Sequence, residues 1–311
     1  MIKNIVVAGA GTMGASIAEH FSEYDYRVYV YDAFAESLEK GKELIALNQQ
    51  TLVKEGKITQ EKSDHIVENL SFHTEREVFK TADLVIESII ENIDIKKDFY
   101  REISELVTDD CVICSNTSSL PITSLSEAVK NPERFLGMHW FNPPHIIPLI
   151  EIIKSDQTED QSAELIYDLA KSIGKEPAII NKDVKGFVAN RIQFAVLRET
   201  LHLVEDEVIS VEDVDKVMKY ALGFRYACFG PLEVADFGGL DTFEHISEFL
   251  NPDLCNDTQV SPLLKDLVDH EHYGVKTGRG FYDYADGKDT EAVAHRDELY
   301  LKVAHLLHDQ K

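Results

Sequence analysis

The stretch GMHWFNPPHIIPLIE, residues 137–151, places a histidine and a glutamate on either side of a proline-rich bend. If two antiparallel strands flank Asn142 to Pro148, a register symmetric about His145 sets His139 opposite Glu151. Directly opposed side chains on one face of such a pair lie within reach of each other. A carboxylate bonded to one imidazole nitrogen fixes the tautomer and stabilises the protonated ring, which leaves the other nitrogen to take a proton from a substrate hydroxyl. The same pairing also serves packing, as a buried histidine satisfied by its neighbour.

Far upstream, GAGTMG lies between a strand-like run and a helix-like run, the context in which a GxGxxG pattern carries meaning. Gly9, Gly11 and Gly14 let the backbone approach a pyrophosphate, and Thr12 and Met13 open the helix whose N-terminal N–H groups face its charge. Asp32 follows Gly14 by eighteen residues, at the end of the next strand. Its carboxylate suits the two adenosine ribose hydroxyls and repels a 2′-phosphate, and no arginine follows it, so NAD is expected over NADP. A flavin uses the same fold, and the fingerprint alone leaves that open. Glu87 at a strand end, with Glu91 and Asn92 just beyond, are expected on the cleft side beside the nicotinamide ribose; the alternative is loop-end carboxylates in an acidic chain.

NTSSLPI follows the strand-like CVICS, so Asn116 is expected at the cofactor and Ser119 as the cap of a helix that Pro121 opens. That leaves Ser118 to bond a substrate oxygen. Asn190 falls in the first turn of a long helix, as a solvated residue or a donor to a substrate carbonyl.

The elements that must hold these residues alternate. Strands are predicted at Ile2 to Ala8, Arg27 to Tyr31, within Asp83 to Ile89, at Cys111 to Ser115 and near Ala178 to Ile180. Helices are predicted near Met13 to Tyr24, Ile93 to Val107 and Gln161 to Ile173. Residues 35–69 read as two charged helices broken at Glu55-Gly56-Lys57, a projecting arm. From Gly186 onward the pattern is helical. This predicts an α/β fold: a Rossmann-type doubly wound, mainly parallel sheet in residues 1–185, then an all-α domain in residues 186–311.

A chain of 311 residues that is 44% hydrophobic can bury cores for two such domains. No apolar run is long enough to span a bilayer, and the chain runs from Met1 and Lys3 straight into a strand, so a cytoplasmic protein is expected. Fifty-six acids against 31 bases give a formal charge of −25, which disfavours nucleic acid and obliges any phosphate-bearing ligand to find a local basic patch. Cys111 and Cys114 read as strand residues; a redox CxxC usually opens a helix. His270, His272, His295, His305 and His308 match no ligand spacing and read as surface residues, so no metal is expected.

SNTSSLPIT, GMHWFNPP with Glu151, KGFVANR, GPLEVADFGGLDT and KTGRGFYDY, in this order, resemble the 3-hydroxyacyl-CoA dehydrogenase family nearly end to end. The resemblance implies hydride transfer between the 3-position of an L-3-hydroxyacyl group and NAD. His139 would be the acid/base, Glu151 its orienting partner, and Ser118 and Asn190 the groups that hold the substrate. It also implies that residues 186–311 serve substrate binding and dimerisation, with a homodimer built through this C-terminal domain. PPHIIPLIEI departs from the common acyl-CoA form, where a lysine often stands near the position of Pro148. With FLNPDLCN and GFRYACFGPLE, it is similar to a branch acting on small free acids, which includes the lambda-crystallin or gulonate dehydrogenase type and a dehydrogenase of pyridine-ring breakdown. LVKEGKI instead resembles the arm of short-chain hydroxybutyryl-CoA dehydrogenases, with Lys54 and Lys57 meeting the CoA phosphates; lysines on a polar helix are otherwise ordinary surface residues. A short-chain acyl-CoA is the leading expectation and a free hydroxy acid or ring-bearing alcohol the alternative. A third reading is an NADH-binding structural protein without catalysis.

Overall fold

The computed structural model describes residues 2–308. The chain divides into two compact units, Met1–Val188 and Ala189–Lys311. The connection between the units has a marked backbone conformation. Gly186 and Phe187 both hold positive φ, 74° and 49°, so the long helix begins only at Ala189.

In the first unit, β1 (Asn4–Ala8), β2 (Arg27–Tyr31), β3 (Leu70–His73), β4 (Leu84–Glu87), β5 (Val112–Ser115), β6 (Phe135–Trp140), β7 (Leu149–Lys154) and β8 (Glu176–Ile180) form one sheet. Their spatial order is β3-β2-β1-β4-β5-β6-β7-β8. Every neighbouring pair is parallel except β6 and β7, so β7 and β8 run against the other six strands. The short edge strand β3 has no counterpart in the sequence reading: four half-buried residues, LSFH, carry little periodic signal. It also makes Glu87 the end of the fourth strand in chain order, not the third.

Both faces of the sheet are covered, as parallel strands require. In β1, Ile5 and Val7 face one core with Ile17 and Phe21 of α1 (Thr12–Glu23) and Ile166 and Leu169 of α6 (Asp160–Ser172). Val6 and Ala8 face the other, with Phe99, Tyr100 and Ile103 of α4 (Ile93–Ile103) and Ile122 of α5 (Ile122–Ser126).

The helical segment of residues 35–69 forms α2 (Ala35–Lys54) and α3 (Gln60–Glu68). It does not project freely, because it is fastened along α1. Asn48 and Gln49 donate to the Glu19 carboxylate at 2.9 and 2.7 Å, and Lys62 donates to the Glu23 carbonyl at 2.8 Å. Burial raises the Glu19 pKa against the pull of those two amides.

The second unit is built from α7 (Ala189–Glu205), α8 (Val211–Val217), α9 (Gly223–Tyr226), α10 (Pro231–Gly238), α11 (Leu240–Leu250), α12 (Pro262–Asp269) and α13 (Lys288–His308), with a π-turn at Met218–Leu222. Among the described residues it holds no strand, only isolated bridges from Arg279 to Gly274 and Asp283. Phe224, Leu232, Phe237 and Phe249 are each 70% exposed or more. No described helix in either unit is long and apolar enough to cross a membrane.

The fingerprint glycines separate by geometry. A Cβ on Gly14 would lie 1.9 Å from the Gly9 carbonyl oxygen, whereas a Cβ on Gly11 meets nothing within 4 Å. Gly14 therefore serves the packing of α1 on β1, and Gly11 keeps an approach open. Thermal melts should show Gly14→Ala losing about 1–3 kcal/mol or more, the range of overpacked sites, with Gly11→Ala melting like the wild type but binding NADH more weakly by fluorescence titration. Equal melting of the two variants would refute this division of labour.

Candidate active site

At the carboxyl end of β1, Gly9 adopts φ 106°, and a Cβ there would strike the Ser88 carbonyl oxygen at 2.4 Å. The tight turn delivers Gly11 as the N-cap of α1 with no side-chain cap, so the N–H groups at Thr12, Met13 and Gly14 face the open space over Gly11. A helix N-terminus of this kind suits a pyrophosphate. Asp32 buttresses the turn: Oδ2 accepts from the Ala10 N–H at 2.9 Å and Oδ1 from the Phe34 N–H at 3.0 Å. A carboxylate has about four lone-pair sites, so two remain for ribose hydroxyls. This cradle fits a dinucleotide.

Glu87 corrects the sequence reading. It is fully buried, not presented to the cleft, and its carboxylate accepts from the Ile89 N–H (2.7 Å), Lys96 Nζ (2.5 Å), Ser115 Oγ (2.8 Å) and the Tyr100 hydroxyl. Burial beside this carboxylate drives the Tyr100 pKa well above its ordinary value. Lys96, which sequence reasoning missed, is itself only 1% exposed and reaches Glu91 Oε2 at 3.3 Å as well. The signal was present: residues 96, 99, 100 and 103 form the buried stripe of α4, and a lysine on such a stripe needs an anion beneath it. Asn92 caps α4, accepting from the Asp94 and Ile95 N–H groups.

Glu91 Oε1 gathers the loop after β5, accepting from Thr117 Oγ1 (2.5 Å), the Ser118 N–H (3.1 Å) and Ser119 Oγ (3.2 Å). Partial burial works to raise the Glu91 pKa, but the Thr117 hydroxyl, the Lys96 charge and the Ser118 N–H outweigh it, so the carboxyl sits below its ordinary range. Ser119 is therefore tied to Glu91 and does not cap α5. That helix starts at Ile122 after Pro121, without a side-chain cap, and Pro121 stands at the N-cap, not at the first helical position. Thr117, buried and unflagged by the sequence, orders the turn by accepting from the Leu120 N–H at 2.9 Å. Ser118 is exposed on this loop. Asn116 joins three strand ends, with its N–H to the Glu87 carbonyl, its amide N–H to Ser88 Oγ, and its Oδ1 accepting the Trp140 N–H at 2.9 Å.

Beside β5, the β6–β7 ladder pairs His139 with Glu151 directly. His139 Nδ1 lies 2.9 Å from Glu151 Oε2, with the residues 3% and 2% exposed. The second Glu151 oxygen accepts the Val188 N–H at 3.0 Å. Nδ1 therefore carries the proton given to the carboxylate, which leaves Nε2 of the neutral ring as an acceptor. Phe141 and Phe187 flank the ring at centroid distances of 4.4 and 5.6 Å. Such a pair can accept a proton at Nε2 while the carboxylate steadies the resulting imidazolium.

Asn190 is half-buried in the first turn of α7, in the second unit. Lys54 ends α2, and Lys57 stands in the exposed turn that follows, 2.7 Å from Glu55 Oε2. His270, His295 and His305 are exposed and His272 half-buried; the His308 side chain lies outside the described residues. Among the described residues, metal-type donors gather at His202, Cys255 and Asp257, within 4.8 Å of one another, with Asp257 exposed. Cys111 and Cys114 are buried thiols, and burial pushes Cys111 up to about 12, which keeps it from acting as a thiolate.

With this geometry in hand, the likenesses to known proteins become informative. Residues 4–184 match the 3-hydroxyacyl-CoA dehydrogenase NAD binding domain and residues 186–284 the C-terminal domain of the same family. The chain belongs to the 3-hydroxyacyl-CoA dehydrogenase family, and is an NAD-dependent oxidoreductase acting on a CH–OH group. It is 37% identical to 5-formyl-3-hydroxy-2-methylpyridine 4-carboxylate 5-dehydrogenase of Mesorhizobium japonicum over 99% of both chains. A solved structure of an enzyme of that name, described as an NAD+ dependent dismutase, superposes with a TM-score of 0.90, at 36% identity over 99% of each chain. A probable 3-hydroxybutyryl-CoA dehydrogenase of Deinococcus radiodurans is 38% identical over 89% of this chain and 99% of its own. The (S)-3-hydroxybutyryl-CoA dehydrogenase structure from Ralstonia eutropha gives a TM-score of 0.77 at 33% identity, over 92% of this chain and 100% of its own.

Glu91 as organiser of the Thr117–Ser119 turn is directly testable. Amide hydrogen exchange of peptides covering residues 117–120 should accelerate in Glu91→Ala but not in Asp94→Ala, a control on the neighbouring helix; unchanged protection would remove Glu91 from that role.

Proposed function

We propose that this chain interconverts a hydroxyl and a carbonyl on a small, ring-bearing acid, with His139 as the proton carrier. NAD, when bound, supplies the acceptor or donor of hydride. His139 Nε2 takes the hydroxyl proton during oxidation and returns it during reduction, and Glu151 holds Nδ1–H and stabilises the charged ring. Ser118 and Asn190 are proposed to bond the reacting oxygen. The observation that carries the chemistry is the buried 2.9 Å contact between His139 and Glu151.

The substrate class rests on extent. The pyridine-ring relative aligns over 99% of both chains and superposes at 0.90, whereas the hydroxybutyryl-CoA relatives quoted above cover 89% and 92% of this chain. The second reading, a short 3-hydroxyacyl-CoA, is favoured by Lys54 and Lys57 at the α2–α3 turn. Yet Lys57 already faces Glu55, and an exposed lysine pair in a chain of charge −25 is a weak phosphate site.

NADH absorbance separates these readings. Turnover of a pyridine or benzene carbaldehyde carrying a carboxylate, with none of acetoacetyl-CoA, supports the first; the reverse overturns the substrate class and leaves the chemistry standing. His139→Gln should lower kcat by about 10²–10⁴-fold, the usual weight of a general acid/base, with NADH affinity retained. Wild-type kcat in that variant would remove His139 from the mechanism.

We further propose a homodimer formed through the second unit, supported by the exposed Phe224, Leu232, Phe237 and Phe249. Light scattering should return twice 35.2 kDa, and Phe237→Asp with Phe249→Asp should shift it toward 35.2 kDa; a wild-type monomer would dismiss the interface.

A further inference from the structure

The loop joining β6 to β7 is poor in donors of its own, because Pro143, Pro144 and Pro148 lack an N–H. Its Pro143 carbonyl accepts from the Ile146 and Ile147 N–H groups at 3.0 Å each. The Pro144 and Ile147 carbonyls are met by a single side chain from another element, Lys175, whose Nζ donates to them at 2.5 and 3.0 Å. Lys175 is 3% exposed, and its ammonium also lies 5.3 Å from the centre of the Trp140 ring. It arrives there through the end of α6. Gly174 at φ 74°, the Gly174 N–H to the Lys171 carbonyl and the Lys175 N–H to the Ala170 carbonyl form a Schellman stop that turns the next side chain inward. The following residue adds a strand bond, from the Glu176 N–H to the Pro148 carbonyl at 2.9 Å.

The ladder needs this grip. Its last rung before the loop is Trp140 with Ile150, and His139 with Glu151 is the rung before that, so movement of the loop reaches the pair across a single rung. We propose that Lys175 is a positioning residue for hydride transfer: by holding the loop and the Trp140 ring together, it keeps His139 opposite Glu151 in the geometry that moves the proton. The inference rests on the reading of His139 as proton carrier, but Lys175 itself touches neither member of the pair. Its charge acts on His20 and is answered by Glu23, both on α1; His145 in the loop acts on His20, and the neighbouring Glu176 pairs with Lys171. Among the described residues no carboxylate forms an ion pair with it. Burial lowers the Lys175 pKa to about 8, with the Glu23 charge opposing only in part. Burial and the Lys175 charge hold His20 near 3, so that ring stays neutral throughout the range in which Lys175 titrates.

Loss of the proton weakens both grips, since a charged donor is roughly twice as strong as a neutral one and the attraction to the indole ring needs the charge. Trp140 is the single tryptophan of the chain and therefore a built-in probe. In the wild type, kcat and Trp140 emission should change together with a midpoint near pH 8. Lys175→Met should cut kcat at pH 7 about tenfold or more with NADH affinity unchanged, and remove the common titration; Lys175→Arg should move the alkaline limb upward.

The stability trend runs the other way. Between pH 8 and 10.5 the unfolded chain holds a proton that folded Lys175 has lost, so the margin of the wild type over Lys175→Met should rise with pH while its activity falls. A purely structural lysine would not separate the two. A folded Lys175→Met with wild-type kcat and pH profile overturns the proposal, as do unlike midpoints for kcat and Trp140 emission in the wild type, a measurement that stands even if the variant does not fold. His139→Gln distinguishes the two readings: it should lower kcat by about 10²–10⁴-fold yet keep the Trp140 titration; full activity in it would overturn the proton-carrier reading, whereas a lost Trp140 titration would overturn the Lys175 grip.

Discussion

One antiparallel pairing inside a parallel sheet governs this molecule. Side chains on a strand alternate faces, so a one-residue slip of β6 against β7 would carry His139 and Glu151 to opposite sides of the sheet. A buried carboxylate without a partner is strongly destabilising, and so is a buried imidazole that cannot place its N–H. The pair therefore selects its own register, and the rest of the site is measured from it. The second Glu151 oxygen meets the Val188 N–H, and Phe187 packs on the imidazole from a left-handed conformation that its buried surroundings hold in place.

The sheet carries a second buried ionic system. Glu87 and Glu91 share the Lys96 ammonium, one carboxylate sealed under the sheet ends and the other partly open. Breaking such a group by removing one member costs more than the intact group contributes, which makes its geometry hard to relax. The division of roles follows from burial. Glu87 saturates itself on the core side and fixes Lys96, whereas Glu91 keeps an edge toward solvent and spends its other oxygen on the Thr117–Ser119 turn. Asn116 links this system to the hairpin through the Trp140 N–H, so the strand ends behave as one rigid rim.

Much of this was legible in the sequence, for identifiable reasons. Glycine spacing after an apolar run marks the β1–α1 turn because only glycine tolerates the contacts at Gly9 and Gly14. The His139–Glu151 register was legible because prolines bracket the bend and leave one symmetric pairing. What escaped notice depends on partners distant in sequence. Glu87 looked like a cleft residue because its position at a strand end is shared by buried and exposed carboxylates alike, and only Lys96, Tyr100 and Ser115 decide between them. Ser119 obeyed the local logic of helix capping but was drawn to Glu91, 28 residues away. Lys175 gave no local sign at all, since the carbonyls it binds lie 31 and 28 residues upstream.

The charge of the chain bears on which substrate such a rim can admit. An excess of 25 negative charges opposes a multiply charged ligand at long range unless a local basic patch answers it. The α2–α3 turn answers poorly, because Lys57 faces Glu55 and further carboxylates line the arm. A small acid meets the same field with a single charge, and its carboxylate needs one or two donors rather than a patch. The dinucleotide faces the identical penalty but has a dedicated reply, the open N-terminus of α1 over Gly11. The arm is fastened to α1 by Asn48, Gln49 and Lys62, which makes it a wall of the first unit.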